Sequence, residues 1–335
     1  PVTNSRRAFA FFFVIILICI SAPAFGVTIR MASIAPENSP WGRALNRLAA
    51  EWNEISNGQV TLQVFHNSVA GDESDMIRKM RIGQLQAGVF SNVGMTALSD
   101  KVLTLSMPLL IRTEEEYDYV FQRVRSSLDQ EVERKGFVPL AWSLAGWLRF
   151  FSKEEIRDPE ELQGVKLAAS PDEMQLVRGY QLMGYQPIPI PHAERLATLT
   201  SGMANAHLTV PILAASFQWF GATPYMVRMK IGPAPGAIIM TRRAHAQLPR
   251  NVREELLAAV EDVQDNYGQE IRDLEAEAID TMSNYGLEIV ELTQSEQEEW
   301  IQEFESSYDV MLGRVFDRDL YNRVREHLNE FRSSN

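Results

Sequence analysis

Hydrophobic positions in this chain alternate, then recur at helical spacing, and the two patterns take turns along the sequence. Residues 27–31 alternate as a strand entering a core. Ser39-Pro40 opens a helix, because a capping hydroxyl precedes a proline in the first turn. Trp41, Leu45, Leu48, Trp52 and Ile55 then recur by threes and fours along one face, and Asn57-Gly58 stops the run. Residues 60–65 read as a second strand. Residues 72–80 read as a helix with acids in its first turn, ended by Gly83, and 85–90 as a third strand. This strand–helix order predicts helices packed on a largely parallel sheet.

The pattern continues with a helix over 114–135 and strands over 137–142 and 147–152. A turn at Asp158-Pro159-Glu160-Glu161-Leu162 leads into a strand over 165–169. Helices over 171–183 and 193–203 and a strand over 206–210 complete a second α/β set, from about 147 to 235. A strand at 237–241 precedes a long helical run over 251–284. At 1.5 Å per residue that helix spans roughly 50 Å, enough to run along both sets and tie them. Helices near 295–313 and 318–331 close the chain. The predicted architecture is an α/β, two-domain fold with a ligand cleft between its lobes. Lobe I takes 27–146 plus about 236–270, and lobe II takes 147–235 plus about 271–335.

Residues 1–26 stand apart. Arg6-Arg7, an apolar stretch from Ala8 to Ile20, and Ser21-Ala22-Pro23-Ala24 make the three-part layout of a secretory signal. That predicts export to the periplasm and cleavage near Ala24. Ser5-Arg6-Arg7-Ala8-Phe9 resembles a twin-arginine start, but the apolar core favours the general route. The single cysteine, Cys19, follows Ile18 where a lipobox wants a small residue. Its place inside the signal removes disulfides, thiol catalysis and cysteine metal sites from the exported chain. The formal net charge of −12 argues against nucleic acid as a partner.

No catalytic or metal constellation emerges. His66, His192, His207, His245 and His327 form no H-E-x-x-H or H-x-H pair. There is no G-x-S-x-G elbow and no Walker glycine loop. Asp72-Glu73-Ser74-Asp75 reads as a helix start rather than a metal set. No cofactor is expected. The aromatic clusters Trp147/Phe150/Phe151 and Phe217/Trp219/Phe220 are candidates for core packing or for the wall of an apolar cleft.

The ordered motifs are more specific. I-R-M-A-S-I-A-P-E-N-S-P-W (29–41), S-N-G-Q-V-T-L-Q-V-F (56–65), V-A-G-D-E-S-D-M-I (69–77), I-R-D-P-E-E-L-Q-G-V-K-L (156–167) and M-G-Y-Q-P-I-P-I (183–190) follow one another. With the Leu248-Pro249 before the long helix, they resemble the substrate-binding proteins of tripartite ATP-independent periplasmic (TRAP) transporters. The likeness covers nearly the whole chain after Thr28. It implies closure of two lobes on one small-molecule ligand, delivery to a membrane permease, and no chemistry.

The likeness also implies an arginine after the K-[IL] of the G-x-K-[IL] segment, where it would fork onto a ligand carboxylate. Here that position is Ala168. A second arginine, expected two residues after Gly146, is Leu148. Arg149 lies next to it, on the opposite strand face. The acid-glycine region becomes Ala204-Asn205-Ala206-His207, with Thr209 near the usual asparagine, and Pro235-Gly236 stands at another polar pair. A buried carboxylate without a charged partner costs several kcal/mol. These substitutions therefore point to an apolar or amphipathic ligand. Ala168, Leu148, Phe150 and Trp219 are the first lining candidates, followed by Phe90, Asn92, His192 and Thr209. His192 or Arg149 would meet a single polar group. The alternatives are an organic-acid receptor with a relocated anchor such as Arg149, a non-catalytic scaffold, and an exported enzyme. The atypical pattern is similar to that of TRAP receptors working with a periplasmic tetratricopeptide-repeat protein.

Overall fold

A computed structural model describes residues 26–334, so all of the expected signal before Gly26 lies outside the described residues. The first lobe begins with β1 (Val27–Ala32), α1 (Pro40–Ile55), β2 (Val60–Phe65), α2 (Glu73–Arg81) and β3 (Ala87–Phe90). Ser39 caps α1 as its sequence demands, its side chain accepting from the Gly42 N–H. Ile29 and Met31 sit opposite Leu62 and Val64, and both are fully buried. Two short helices, α3 (Asn92–Met95) and α4 (Val102–Leu105), and the long α5 (Glu114–Arg134) follow.

The next strand, β4 (Phe137–Ser152), is one 16-residue element where the sequence pattern predicts two. The break in the pattern is Ala145-Gly146, where the register shifts between Leu144 and Trp147 and Gly146 takes φ +136. A side chain there would meet Val210 and the Glu275 carboxylate at 3.2 Å, so glycine serves both conformation and space. Beyond it come β5 (Lys166–Ala169), α6 (Met174–Leu182), β6 (Gln186–Pro189), α7 (Arg195–Ser201), β7 (Ala206–Thr209), α8 (Pro211–Ser216) and β8 (Tyr225–Val227). The chain then returns along β9 (Gly232–Thr241), a strand twice the predicted length.

The strand order is β2-β1-β3-β9-β4-β7-β5-β6. Within each lobe β1 pairs in parallel with β2 and β3, and β5 with β6 and β7. The two crossing strands break the parallel rule. β4 runs from the first lobe to the second and β9 runs back, so they pair antiparallel with each other and β9 antiparallel with β3. The sheet is therefore mixed, which corrects the largely parallel expectation.

After α9 (Arg242–Gln247), the helix α10 (Arg253–Asn284) runs the length of the molecule. Leu256 and Val260 join the core of the first sheet, where Trp52 Nε1 donates to the Leu256 carbonyl at 2.9 Å. Tyr267 and Ile271 pack with Ile212, and Ile279 and Met282 with Phe151 and Met226 of the second sheet. The chain ends in β10 (Glu288–Val290), α11 (Gln294–Met311) and α12 (Arg318–Ser334). Trp300 and Phe304 of α11 pack on Phe150. The last helix reaches back to α5, where Arg332 Nε meets Glu116 Oε1 at 2.7 Å. No helix among the described residues is long and apolar enough to cross a membrane.

Candidate functional site

The parallel strands of both lobes aim their C-terminal ends at a common cleft, the usual binding position in open α/β sheets. Ser33, Ile34 and Ala35 follow β1, and Phe90, Ser91 and Asn92 close β3. From the second lobe come Ala168 and Ser170 at the end of β5, His192 and Arg195 after β6, and Thr209 and Val210 after β7. The crossing strands supply the floor through Ala145, Leu148, Ala234, Gly236 and Ala237. The cleft offers about 130 Å³ and most of its wall is apolar. That is close to the roughly 150 Å³ engineered cavity that accepts benzene.

Six of the residues expected at the site lie on this wall: Ala168, Leu148, Phe90, Asn92, His192 and Thr209. Ala168 faces the cleft while Ala169 turns away, as strand alternation requires. Asn92 is buried and donates from Nδ2 to the Ser106 hydroxyl at 3.2 Å. Three others are elsewhere. Phe150 packs against Trp300 and Phe304 of α11 and does not line the cleft. Trp219 is one layer behind the wall, stacked on Phe217 at 4.9 Å and meeting His192 edge-on at 4.9 Å. Arg149 is committed to structure, with Nη2 2.7 Å from Glu275 Oε1 and both side chains less than 10% exposed. It does not reach the cleft.

The residue that the sequence pattern did not single out is Arg195. It opens α7 and is 6% exposed. Its guanidinium lies 4.9 Å over the Trp219 ring. Nε is buried without a partner, and no carboxylate among the described residues comes within ion-pair distance. Burial holds its pKa below the ordinary arginine value, against the pull of the Glu173 charge. Beside it, burial and the Arg195 charge push His192 down to about 3, so the imidazole is neutral. Its Nε2 is also buried and unpaired. The missed signal was helical spacing: Arg195 lies on the buried face of α7 with Thr198 and Leu199.

Two acids share the wall. Glu173 is the return partner of a capping box, accepting from the Ser170 N–H at 2.9 Å. Glu73, on α2, accepts from the Ser91 N–H at 2.5 Å and the Ser91 hydroxyl at 2.8 Å. Burial nevertheless pushes its pKa up to about 7, helped by the nearby charges of Asp172 and Glu173. An acid raised by folding holds its proton longer in the native state than in the unfolded chain. Its contribution to stability is therefore fully present below about 4.5 and is lost as pH rises to about 7. Urea unfolding across that range should show this decline in the parent and a flatter profile in Glu73→Gln. Among the described residues no group of acids and histidines is arranged to hold a metal ion.

Comparison with known proteins places the whole arrangement. A solute-binding protein of Chromohalobacter salexigens is 23% identical over 259 residues, covering 76% of each chain. The TRAP periplasmic solute-binding protein of Sulfurospirillum deleyianum, solved with bound succinate, superposes with a TM-score of 0.82 at 20% identity, over 89% of this chain and 98% of that one. The sugar acid binding protein DctPAm of Advenella mimigardefordensis, solved with galactonate, gives 0.84 at 17% identity, over 91% and 98%. These likenesses show the two-lobed fold. The DctP family, bacterial extracellular solute-binding protein family 7, matches residues 31–314. The chain belongs to that family of non-catalytic solute-binding proteins.

Proposed function

We propose that this chain is the periplasmic receptor of a TRAP-type transporter, and that it takes an amphipathic monocarboxylate from the periplasm to the membrane permease. One observation carries the ligand class: a buried arginine whose Nε has no hydrogen-bond partner stands in a cleft whose wall is mostly apolar. A buried guanidinium donor left unpaired is costly, and a ligand carboxylate would satisfy the Arg195 fork with two charge-assisted hydrogen bonds. Ala168 and Leu148, where a TRAP receptor ordinarily carries arginine, leave room for an uncharged body instead. The ligands of the two fold neighbours, succinate and galactonate, are both acids. The substitutions at 168 and 148 point to an apolar or amphipathic ligand, and the relocated anchor expected for an acid, Arg149, is paired with Glu275. Arg195 takes the place of that anchor and leaves the room at 168 and 148 unfilled. Export with cleavage near Ala24 belongs to the same reading.

The test is direct. The protein is purified after export, extracted with organic solvent, and the extract identified by mass spectrometry. The expected compound has one carboxylate and a ring-sized or short-chain apolar body. Recovery of a small dicarboxylate alone would overturn the proposal. A cleft that stays empty, with an unchanged melting temperature across a library of organic acids, would favour the scaffold alternative.

A further inference from the structure

At the mouth of the cleft one helix start is capped from the wrong lobe. Asp72 is the N-cap of α2, with extended dihedrals (φ −71, ψ 173), yet its side chain makes no cap bond to that helix. The other hydroxyl caps behave differently: Ser39, Ser91, Thr113 and Thr293 each accept from an amide of their own helix. The amide that Asp72 would ordinarily take, Ser74 N–H, donates instead to Asp172 Oδ2 at 3.1 Å. Asp172 lies 98 residues along the chain, in the turn leading to α6 of the second lobe. The Asp72 carboxylate in turn faces the backbone N–H of His192, also of the second lobe. The neighbours Glu73, Glu173 and His192 line the cleft, so these contacts lie at its rim.

We propose that Asp72 and Asp172 form an exchangeable clasp: Asp172 caps α2 across the cleft when the lobes are together, and Asp72 recaps its own helix when they part. Asp72 already holds the extended backbone conformation from which an aspartate reaches the second or third amide of its helix. Parting the lobes therefore strands no amide. It exchanges one carboxylate acceptor for another, so the two states differ little in energy and a ligand can select between them. Asp172 is free to cross because its own turn is capped by the Ser170 hydroxyl and the Glu173 carboxylate. The clasp goes beyond the ligand class proposed above and does not depend on it.

The test needs no ligand. Spin labels are attached through Ile82→Cys and Leu182→Cys, exposed sites at the ends of α2 and α6, in a Cys19→Ser background of the full chain. Pulsed electron–electron resonance then reads the distance between lobes. Asp172→Ala should shift population from the shorter to the longer distance, lowering their ratio by roughly tenfold, the scale of one charge-assisted hydrogen bond. Asp172→Asn keeps an acceptor oxygen without its charge and should lie nearer the parent than the alanine. Asp172→Ser is a second variant, too short to cross, and should follow the alanine. A distance distribution unchanged in both Asp172→Ala and Asp172→Ser overturns the clasp. So does an Asp172→Asn variant that opens as far as the alanine, because charge rather than capping would then hold the lobes.

Discussion

Glu275→Leu is expected to lower the free energy of unfolding by about 3–5 kcal/mol, the scale of a buried ion pair broken on one side. Glu275 projects from α10 to the point where β4 crosses between lobes. Its Oε1 is 2.7 Å from Arg149 Nη2 and its Oε2 accepts from the Trp147 N–H at 3.1 Å. Removing the carboxylate leaves a buried guanidinium unpaired and a strand amide without an acceptor. The guanidinium keeps only the Trp147 carbonyl, 3.3 Å from Nη1. Burial already works against the Arg149 cation, and Glu275 is the main group opposing it. The pair is therefore better seen as mutual compensation than as a large net gain. The double variant Arg149→Met/Glu275→Leu should recover most of the loss, since apolar groups can replace such a pair at little cost. Urea melts followed by tryptophan fluorescence read all three proteins. A single variant within about 1 kcal/mol of the parent would show that the Arg149–Glu275 contact does not form in solution.

Arg195→Met should weaken the acid recovered from the parent protein by about 30-fold to several thousand-fold, which corresponds to 2–5 kcal/mol for one partner of a buried charge pair. Methionine keeps much of the apolar stem over Trp219, so packing behind the wall is largely preserved while the donor fork is lost. Calorimetric titration of both proteins measures the ratio. Stability should change in the opposite sense or not at all, because the unliganded protein carries the burden of an unpaired buried cation. An affinity within threefold of the parent would remove Arg195 as the anchor. It would also return the cleft to an uncharged ligand.

The local order of this fold was legible because it is written in local terms. The cap at Ser39, the heptad-like run from Trp41 to Ile55, the Asp158-Pro159 turn and the period of α10 each depend on residues within a few positions of one another. The continuity of β4 was not legible. Across Gly146 the alternation fails, and only pairing with the returning β9 keeps the backbone extended there. The cleft divides in the same way. Ala168 was expected on the wall from one stretch of sequence, and it lies there. Arg149 and Arg195 are each a lone arginine in an element, and spacing can put each on a buried face without saying what it meets there. Arg149 meets a carboxylate 126 residues away on α10, whereas Arg195 meets only the face of a tryptophan and the cleft. What the sequence alone determined is a solute-binding scaffold, read from the order of its elements and motifs. Which arginine is paired with a carboxylate and which keeps an unpartnered Nε was decided by tertiary packing, because the fate of a buried charge depends on what the fold brings to it.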